Sequence, residues 1–225
     1  MQPRVIFFDV GNTLLFPNRA KMLSPIPLER RPALEQWQAL ERSTKAEFDA
    51  LMGRGRADHG FWWIFHTHLL EAIVEDFGIR ELLVQNTRDS ANWDEVMPNT
   101  REILQRLAER FRLAVISNSD GGIERALKRC GIAHFFESIT DSGSIGIEKP
   151  AREIFERALE GMSARAEESL YVGDVYSVDY VGATNAGMDA VLFDVAGAYR
   201  EEGIPRVESL TELERWIESC YLPQP

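Results

Sequence analysis

The chain is poor in cysteine. Its 225 residues hold two, Cys130 and Cys220, and neither belongs to a Cys-x-x-Cys pair or a cysteine–histidine cluster. That spacing argues against a zinc site; the two cysteines could pair, but a reduced cytoplasmic protein explains them as well. No apolar run is long enough to span a bilayer, and the opening Met-Gln-Pro-Arg-Val-Ile-Phe-Phe-Asp lacks the hydrophobic stretch of a signal peptide. A basic excess is missing too: 25 Lys and Arg face 36 Asp and Glu, a formal net charge of −11. Such a surface repels phosphate backbones and anionic lipid, so neither nucleic acid nor membrane is expected as a partner. A small anionic substrate remains compatible, because it needs only local positive charge. Internal repeats and low-complexity segments are absent. The length suits one α/β domain plus a smaller inserted one, acting as a monomer or homodimer.

The strongest local pattern is a short β-rich run that stops on polar residues. Val5–Phe8 is wholly apolar and ends at Asp9-Val-Gly-Asn-Thr, as a strand buried on both faces of a parallel sheet would. The same grammar recurs at Leu113–Asn118, Ser169–Asp174 and Ala190–Asp194, with a weaker candidate at Phe136–Thr140. Helical spacing separates these runs at Thr100–Arg110, Gly122–Cys130, Ala151–Leu159 and Asp179–Ala186, and Leu210–Cys220 reads as a closing helix. The alternation predicts an α/β fold, a Rossmann-like doubly wound parallel sheet whose ligand crevice lies at the carboxyl ends of the strands. Asp9, Ser117, Asn118 and Asp174 sit at such ends. From Phe16 to Asp94 the alternation breaks: prolines 17, 25, 27 and 32 lead into helical stretches at 33–52, 60–77 and 82–91, with no convincing strand. The expected division is a core of residues 1–16 and 95–225 and an inserted helical cap domain of residues 17–94.

Four pieces could carry chemistry, each with a plainer reading beside it. Asp9, before a glycine turn and Thr13, could be a nucleophile held by backbone N–H groups, or ordinary turn chemistry. Ser117-Asn118 could hold a phosphoryl oxygen, or cap a helix. Lys149 could neutralise a carboxylate and a transferring group, or be a solvated surface lysine, with Pro150 in the first turn of the next helix. Asp174 and Asp179 could hold a hard cation such as Mg2+ through oxygen ligands, or Asp179 could simply favour a helix start. The last piece, with its flanking Gly173, is the most specific.

In order and spacing these pieces resemble the four motifs of the haloacid dehalogenase superfamily, over roughly residues 1–16 and 95–205. The resemblance implies a hydrolase of the phosphatase kind, with a helical cap where residues 17–94 stand. It implies that Asp9 attacks phosphorus to form an aspartyl phosphate, and that Mg2+ is held by Asp9, the Gly11 carbonyl and Asp174. Asp179 would help through water or by orienting Lys149. Ser117, the Asn118 N–H, Lys149 and Thr13 would hold the phosphoryl group, and Thr13 would also steady the first turn. The substrate would be a small phosphate monoester or acyl phosphate.

One departure matters. The phosphatase pattern puts a second aspartate, the general acid/base, at the position of Gly11. Glycine keeps the main-chain carbonyl but has no proton to give, a loss of about 10²–10⁴-fold when the leaving group needs one. Acyl and aryl phosphates need none. His59, His66 and His68 are candidate donors from the inserted segment, although His66 and His68, two apart on a helix, point to different faces. Arg54 and Arg56 are candidates for touching an anionic substrate, and Phe61–Phe65 is expected to form cap core. Two rival readings remain: a protein that binds without catalysis, motivated by Gly11, and a 2-haloacid dehalogenase, opposed by Asp174 and Asp179, which would repel an anionic substrate unless a cation lay among them.

Overall fold

The computed structural model describes residues 2–55, 60–73, 77–201 and 203–221. The first strand, β1 (Val5–Phe8), is buried along its length because strands flank both its edges and helices cover both its faces. The chain then passes β2 (Phe16–Pro17), α1 (Arg19–Met22), α2 (Leu34–Gly53), α3 (Phe61–Ile73), α4 (Arg80–Arg88) and β3 (Trp93–Glu95). The remainder alternates: α5 (Thr100–Ala108), β4 (Arg112–Ser117), α6 (Ile123–Arg129), β5 (Ser138–Asp141), α7 (Ser142–Ile145), α8 (Arg152–Gly161), β6 (Ser169–Gly173), α9 (Val181–Asn185), β7 (Asp189–Phe193), β8 (Arg206–Val207) and α10 (Leu210–Tyr221).

Six strands form one sheet in the order β5-β4-β1-β6-β7-β8, and every neighbouring pair is parallel. Ranked along the chain, this is third, second, first, fourth, fifth, sixth: the doubly wound order, which reverses at β1 and opens a crevice beyond the carboxyl ends of β1 and its neighbours. Alternate side chains feed two cores. Ile6, Phe8, Val115 and Val172 join apolar residues of α5, α6 and α10 on one face. Val5, Phe7, Ile116 and Tyr171 join Ile154, Phe155 and Ala158 of α8 on the other.

The inserted helices are continuous with the first of these cores through Trp37, Phe65, Leu69 and Leu83. Trp37 and Phe65 meet with ring centroids 4.6 Å apart. Contrary to expectation, the segment includes a strand. β3 pairs antiparallel with β2, so a short ribbon spans both crossings between the inserted helices and the sheet. A three-residue run of Trp-Asp-Glu is too short and too acidic to show a strand period. Two other boundaries differ. Pro150 precedes Ala151, the N-cap of α8, rather than lying inside the first turn. Asp179 does not open a regular helix but sits in a π-helical turn, Tyr176–Tyr180, ahead of α9. Cys130 is buried, Cys220 is exposed, and both are free thiols. Among the described residues no helix is long and apolar enough to cross a membrane.

Candidate active site

Asp9 extends β1 by one residue, its N–H donating to the Val172 carbonyl at 2.8 Å. The chain must then turn sharply away from the sheet. The Val10 carbonyl accepts from the N–H groups of Leu14 and Leu15, each at 2.9 Å, and Asn12 adopts a left-handed φ of 52°. Asparagine tolerates that region better than most residues with a Cβ. Its side chain reaches back to donate to Asp174 Oδ2 at 3.4 Å.

β6 delivers Asp174 next to Asp9, and the π-helical turn folds Asp179 back over Gly173. A Cβ on Gly173 would lie 2.5 Å from Asp179 Cγ, so only glycine permits this approach. The Asp179 oxygens are each engaged twice. Oδ2 accepts from the N–H groups of Asp174 and Val175 at 3.0 and 2.9 Å. Oδ1 accepts from Lys149 Nζ at 2.7 Å and lies 3.0 Å from the Tyr171 hydroxyl. Lys149 Nζ also donates to Asp9 Oδ1 at 2.7 Å and to the Tyr171 hydroxyl at 2.8 Å. Asn118 fixes the backbone beneath this lysine: its Oδ1 accepts from the Lys149 N–H at 2.7 Å while its Nδ2 donates to the Lys149 carbonyl at 2.9 Å. Ser117, buried at the end of β4, lines the crevice beside Asp9. Thr13 differs from expectation. Its hydroxyl is buried, has no hydrogen-bond partner and is not among the groups lining the crevice.

Sequence reasoning missed a buried charged pair, Lys45 and Glu41. Lys45, on α2, is 1% exposed. Its Nζ donates to the Asp174 carbonyl at 2.7 Å, lies 2.9 Å from Asp174 Oδ2 and lies 3.4 Å from Glu41 Oε1. A lysine among polar helical residues carries no signal of its own. The one available hint is Glu41 four residues earlier, on the same helix face. Tyr171 was missed for a similar reason, since a tyrosine inside an apolar strand reads as core.

The charges paired around Asp9 and Asp174 do not cancel. Four carboxylates (Asp9, Glu41, Asp174, Asp179) stand against two ammonium groups (Lys45, Lys149), which leaves two formal negative charges. Burial pushes the Asp9 carboxyl up to about 7, with Asp179 and Asp174 adding to the rise and Lys149 opposing it. Burial also raises Asp174, against the pull of Lys45. Both lysines are held above their ordinary range: burial acts to lower them, but the facing carboxylates outweigh it. Asp9, Asp174 and Asp179 each offer an oxygen, all within 4.8 Å of one another. Hard oxygen donors, a deficit of two positive charges and a carboxyl reluctant to ionise together fit a divalent cation such as Mg2+.

Above these groups lies a crevice of about 720 Å3 between the sheet and the inserted helices, walled by Phe48, Met52, Phe61, Trp62 and Trp93 with Arg88 on its lining. The Trp93 ring stands where a side chain on Gly11 would project, with ring atoms 3.3 and 3.4 Å from a Cβ built there. A comparable hollow of about 780 Å3 opens near Arg4 and Arg112, at the amino-terminal edge of the sheet, far from these groups. Two of the candidate proton donors, His66 and His68, do not reach the crevice. His66 is fully buried, bonded through Nε2 to Thr87 Oγ1 at 2.7 Å, and burial depresses its pKa to about 3. His68 pairs with Glu47 at 2.7 Å, and Arg54 is exposed outside the crevice. His59 and Arg56 lie outside the described residues. The aromatic run divides: Ile64 and Phe65 are core, as expected, whereas Phe61 and Trp62 face the crevice.

The chain is similar to known hydrolases in sequence and in fold. A glyceraldehyde 3-phosphate phosphatase from Pyrococcus abyssi is 34% identical over 199 residues, covering 84% of this chain and 81% of that protein. One from Methanothermobacter thermautotrophicus is 45% identical over 100 residues, covering 42% of this chain and 43% of that enzyme, so the chain aligns with less than half of its length. Among solved structures, a HAD-hydrolase, YfnB from Bacillus subtilis, bound to magnesium superposes with a TM-score of 0.72 at 21% identity, covering 96% of this chain and 99% of that one. An L-2-haloacid dehalogenase from Xanthobacter autotrophicus gives a TM-score of 0.63 at 17% identity, covering 97% and 99%. At such identities the likeness is one of fold. The family model for haloacid dehalogenase-like hydrolases matches residues 3–187, and the chain belongs to that family.

Proposed function

We propose that the protein is a Mg2+-dependent phosphohydrolase that cleaves a small phosphate monoester or acyl phosphate through an aspartyl phosphate on Asp9, with residues 17–94 acting as its cap. The observation that carries the reading is the placement of Lys149. A single ammonium group touches both Asp9 and Asp179 at 2.7 Å, so the attacking carboxylate is aimed by a cation that is itself held by an acid. Asp9 and Asp174 would hold Mg2+ with the Gly11 carbonyl. Asp179, with both oxygens engaged, serves chiefly to orient Lys149. When bound, the cation would offset the repulsion between Asp9 and the phosphoryl oxygens.

In the first half-reaction an Asp9 oxygen attacks phosphorus, and the bond from phosphorus to the leaving group breaks with its electron pair. Ser117 and Lys149 hold the phosphoryl oxygens. In the second, water attacks phosphorus, the bond to Asp9 breaks, and the carboxylate returns with release of dihydrogen phosphate. Gly11 supplies no proton in either half, so leaving groups that depart as stable anions are preferred. The phosphatase-named relatives support a small phosphorylated substrate.

Purified protein incubated with acetyl phosphate and 4-nitrophenyl phosphate, with and without Mg2+, tests the reading. Turnover that requires Mg2+ and disappears in Asp9→Asn supports it. Turnover surviving in Asp9→Asn eliminates the covalent route. The second reading, binding without catalysis, is favoured by the Trp93 ring lying against Gly11 where an acid/base would stand. It predicts phosphate binding with no turnover of either substrate.

A further inference from the structure

Four aromatic rings form a continuous wall along the leaving-group side of the crevice. Phe48 meets Phe61 with centroids 5.9 Å apart, Phe61 meets Trp62 at 5.1 Å, and Trp62 meets Trp93 at 5.4 Å, all edge-on or tilted steeply. The wall begins against Gly11, beside the nucleophile. Phe61 and Trp62 are only partly covered, so their apolar surface is offered to whatever occupies the crevice. Arg88 also lines this space, is exposed, and has no ion-pair partner among the described residues.

Two polar side chains of the lining, Thr87 and Asp120, are engaged within the protein. Thr87 Oγ1 bonds His66 and the Leu83 carbonyl. The Asp120 carboxylate accepts from the N–H groups of Ser90 and Gly122.

We propose that this half of the crevice is a subsite for a planar aromatic leaving group carrying a second anionic substituent, so that the substrate class is an aryl phosphate with a carboxylate or similar anion distal to the ester. The inference rests on the phosphohydrolase reading for the direction of the chemistry, but its binding component stands separately. Offset or edge-to-face stacking on Trp62 and Trp93 orients the ring, and the guanidinium of Arg88 meets the distal anion. The crevice volume of about 720 Å3 falls in the range that encloses a ligand of this size. The same occupant resolves the missing acid. When Asp9 attacks phosphorus, the ester bond breaks and the aryl oxygen leaves with the electron pair as an aryloxide, which needs no proton from position 11. The aromatic wall and the glycine in place of the acid both select this chemistry.

Binding of non-hydrolysable phosphonates to the full chain with Mg2+, measured by titration calorimetry, separates the subsite from catalysis. Phenylphosphonate should bind about tenfold tighter than methylphosphonate, the stacking and apolar burial of one ring. 4-Carboxyphenylphosphonate should bind tighter again, and Arg88→Gln should weaken it more than it weakens phenylphosphonate. Trp62→Leu should narrow the phenyl-to-methyl ratio. Equal affinity for phenyl- and methylphosphonate overturns the proposal. So does a carboxyl substituent that gives no gain, or the same loss for both aryl ligands in Arg88→Gln. Acetyl phosphate turnover without an aryl preference sinks the subsite alone, whereas aryl-selective binding without turnover of any phosphate sinks the catalytic reading alone.

Discussion

Lys45 and Asp174 belong to different layers of the molecule, yet the lysine Nζ touches both the carboxylate of Asp174, at 2.9 Å, and its main-chain carbonyl, at 2.7 Å. A residue from the inserted helices therefore helps to set the charge of the candidate cation site. Removing Lys45 would leave Asp174 and Glu41 buried with one cation fewer, a loss of about 3–5 kcal/mol for a broken buried pair. Lys45→Met should lower the urea unfolding midpoint in metal-free buffer by a corresponding amount. It should also enlarge the stabilisation gained on adding Mg2+, because the cation then meets a more negative site. A variant whose Mg2+ response matches the wild type would show that Lys45 does not influence the cation.

Gly11 and Trp93 constrain each other. A Cβ at position 11 would meet ring carbons at 3.3 and 3.4 Å, tighter than ordinary contact. Gly11→Asp alone should therefore cost about 1–3 kcal/mol of stability, typical of overpacking, and yield little catalytic gain. The pair Gly11→Asp with Trp93→Leu should recover part of that stability and raise hydrolysis of an alkyl phosphate relative to 4-nitrophenyl phosphate. Steady-state rates on the two esters measure the ratio. An unchanged ratio in the double variant would mean that a carboxyl at position 11 does not reach the leaving group.

His66 predicts an acid-labile insertion. Its folded pKa of about 3 lies below the unfolded value near 6.5, because burial disfavours the imidazolium. The unfolded chain thus binds the extra proton between these values, and stability falls as pH drops through that window while remaining unaffected above it. At pH 5 the penalty is on the order of 2 kcal/mol relative to pH 7.5. A His66→Gln variant, whose amide can still meet Thr87, should show a smaller change in unfolding midpoint between those two pH values. Equal pH sensitivity in the variant would assign the effect to other groups.

Gly173→Ala tests the π-helical turn. A methyl there would stand 2.5 Å from Asp179 Cγ, so Asp179 must withdraw and release Lys149. The expected outcome is a fall in the turnover rate of acetyl phosphate of at least about tenfold, with the protein still folded by circular dichroism. Retained turnover would show that Lys149 is aimed at Asp9 without help from Asp179.

The features legible in the sequence were those with a local signature. Apolar runs ending at Asp9, Ser117 and Asp174 predict parallel strands, and the doubly wound order follows. Asp9, Lys149, Asp174 and Asp179, read from spacing and resemblance, do converge. Partnership set by tertiary contact was not legible. Lys45 looks like any helical lysine until α2 lies on the core. Trp93 follows the expected helical stretch 82–91 with no signal of its own until β3 pairs with β2 and sets its ring on Gly11. Thr13 sits in the predicted turn but turns its hydroxyl inward, a choice of rotamer that no motif encodes.

One side of α2 is fastened to the core at three places. Arg42 donates to the Ala196 carbonyl at 2.9 Å, Lys45 holds Asp174, and Asp49 accepts from the Ser177 N–H at 3.0 Å and from the Tyr199 hydroxyl at 2.8 Å. Residues 42, 45 and 49 share a helix face, so one movement of α2 away from the core would break all three attachments. Traffic through the crevice on the α2 side would dismantle the charge balance around Asp174 at every cycle. Arg88 and Glu148, exposed on the crevice lining, belong neither to α2 nor to its three attachments, so passage between them leaves that balance whole.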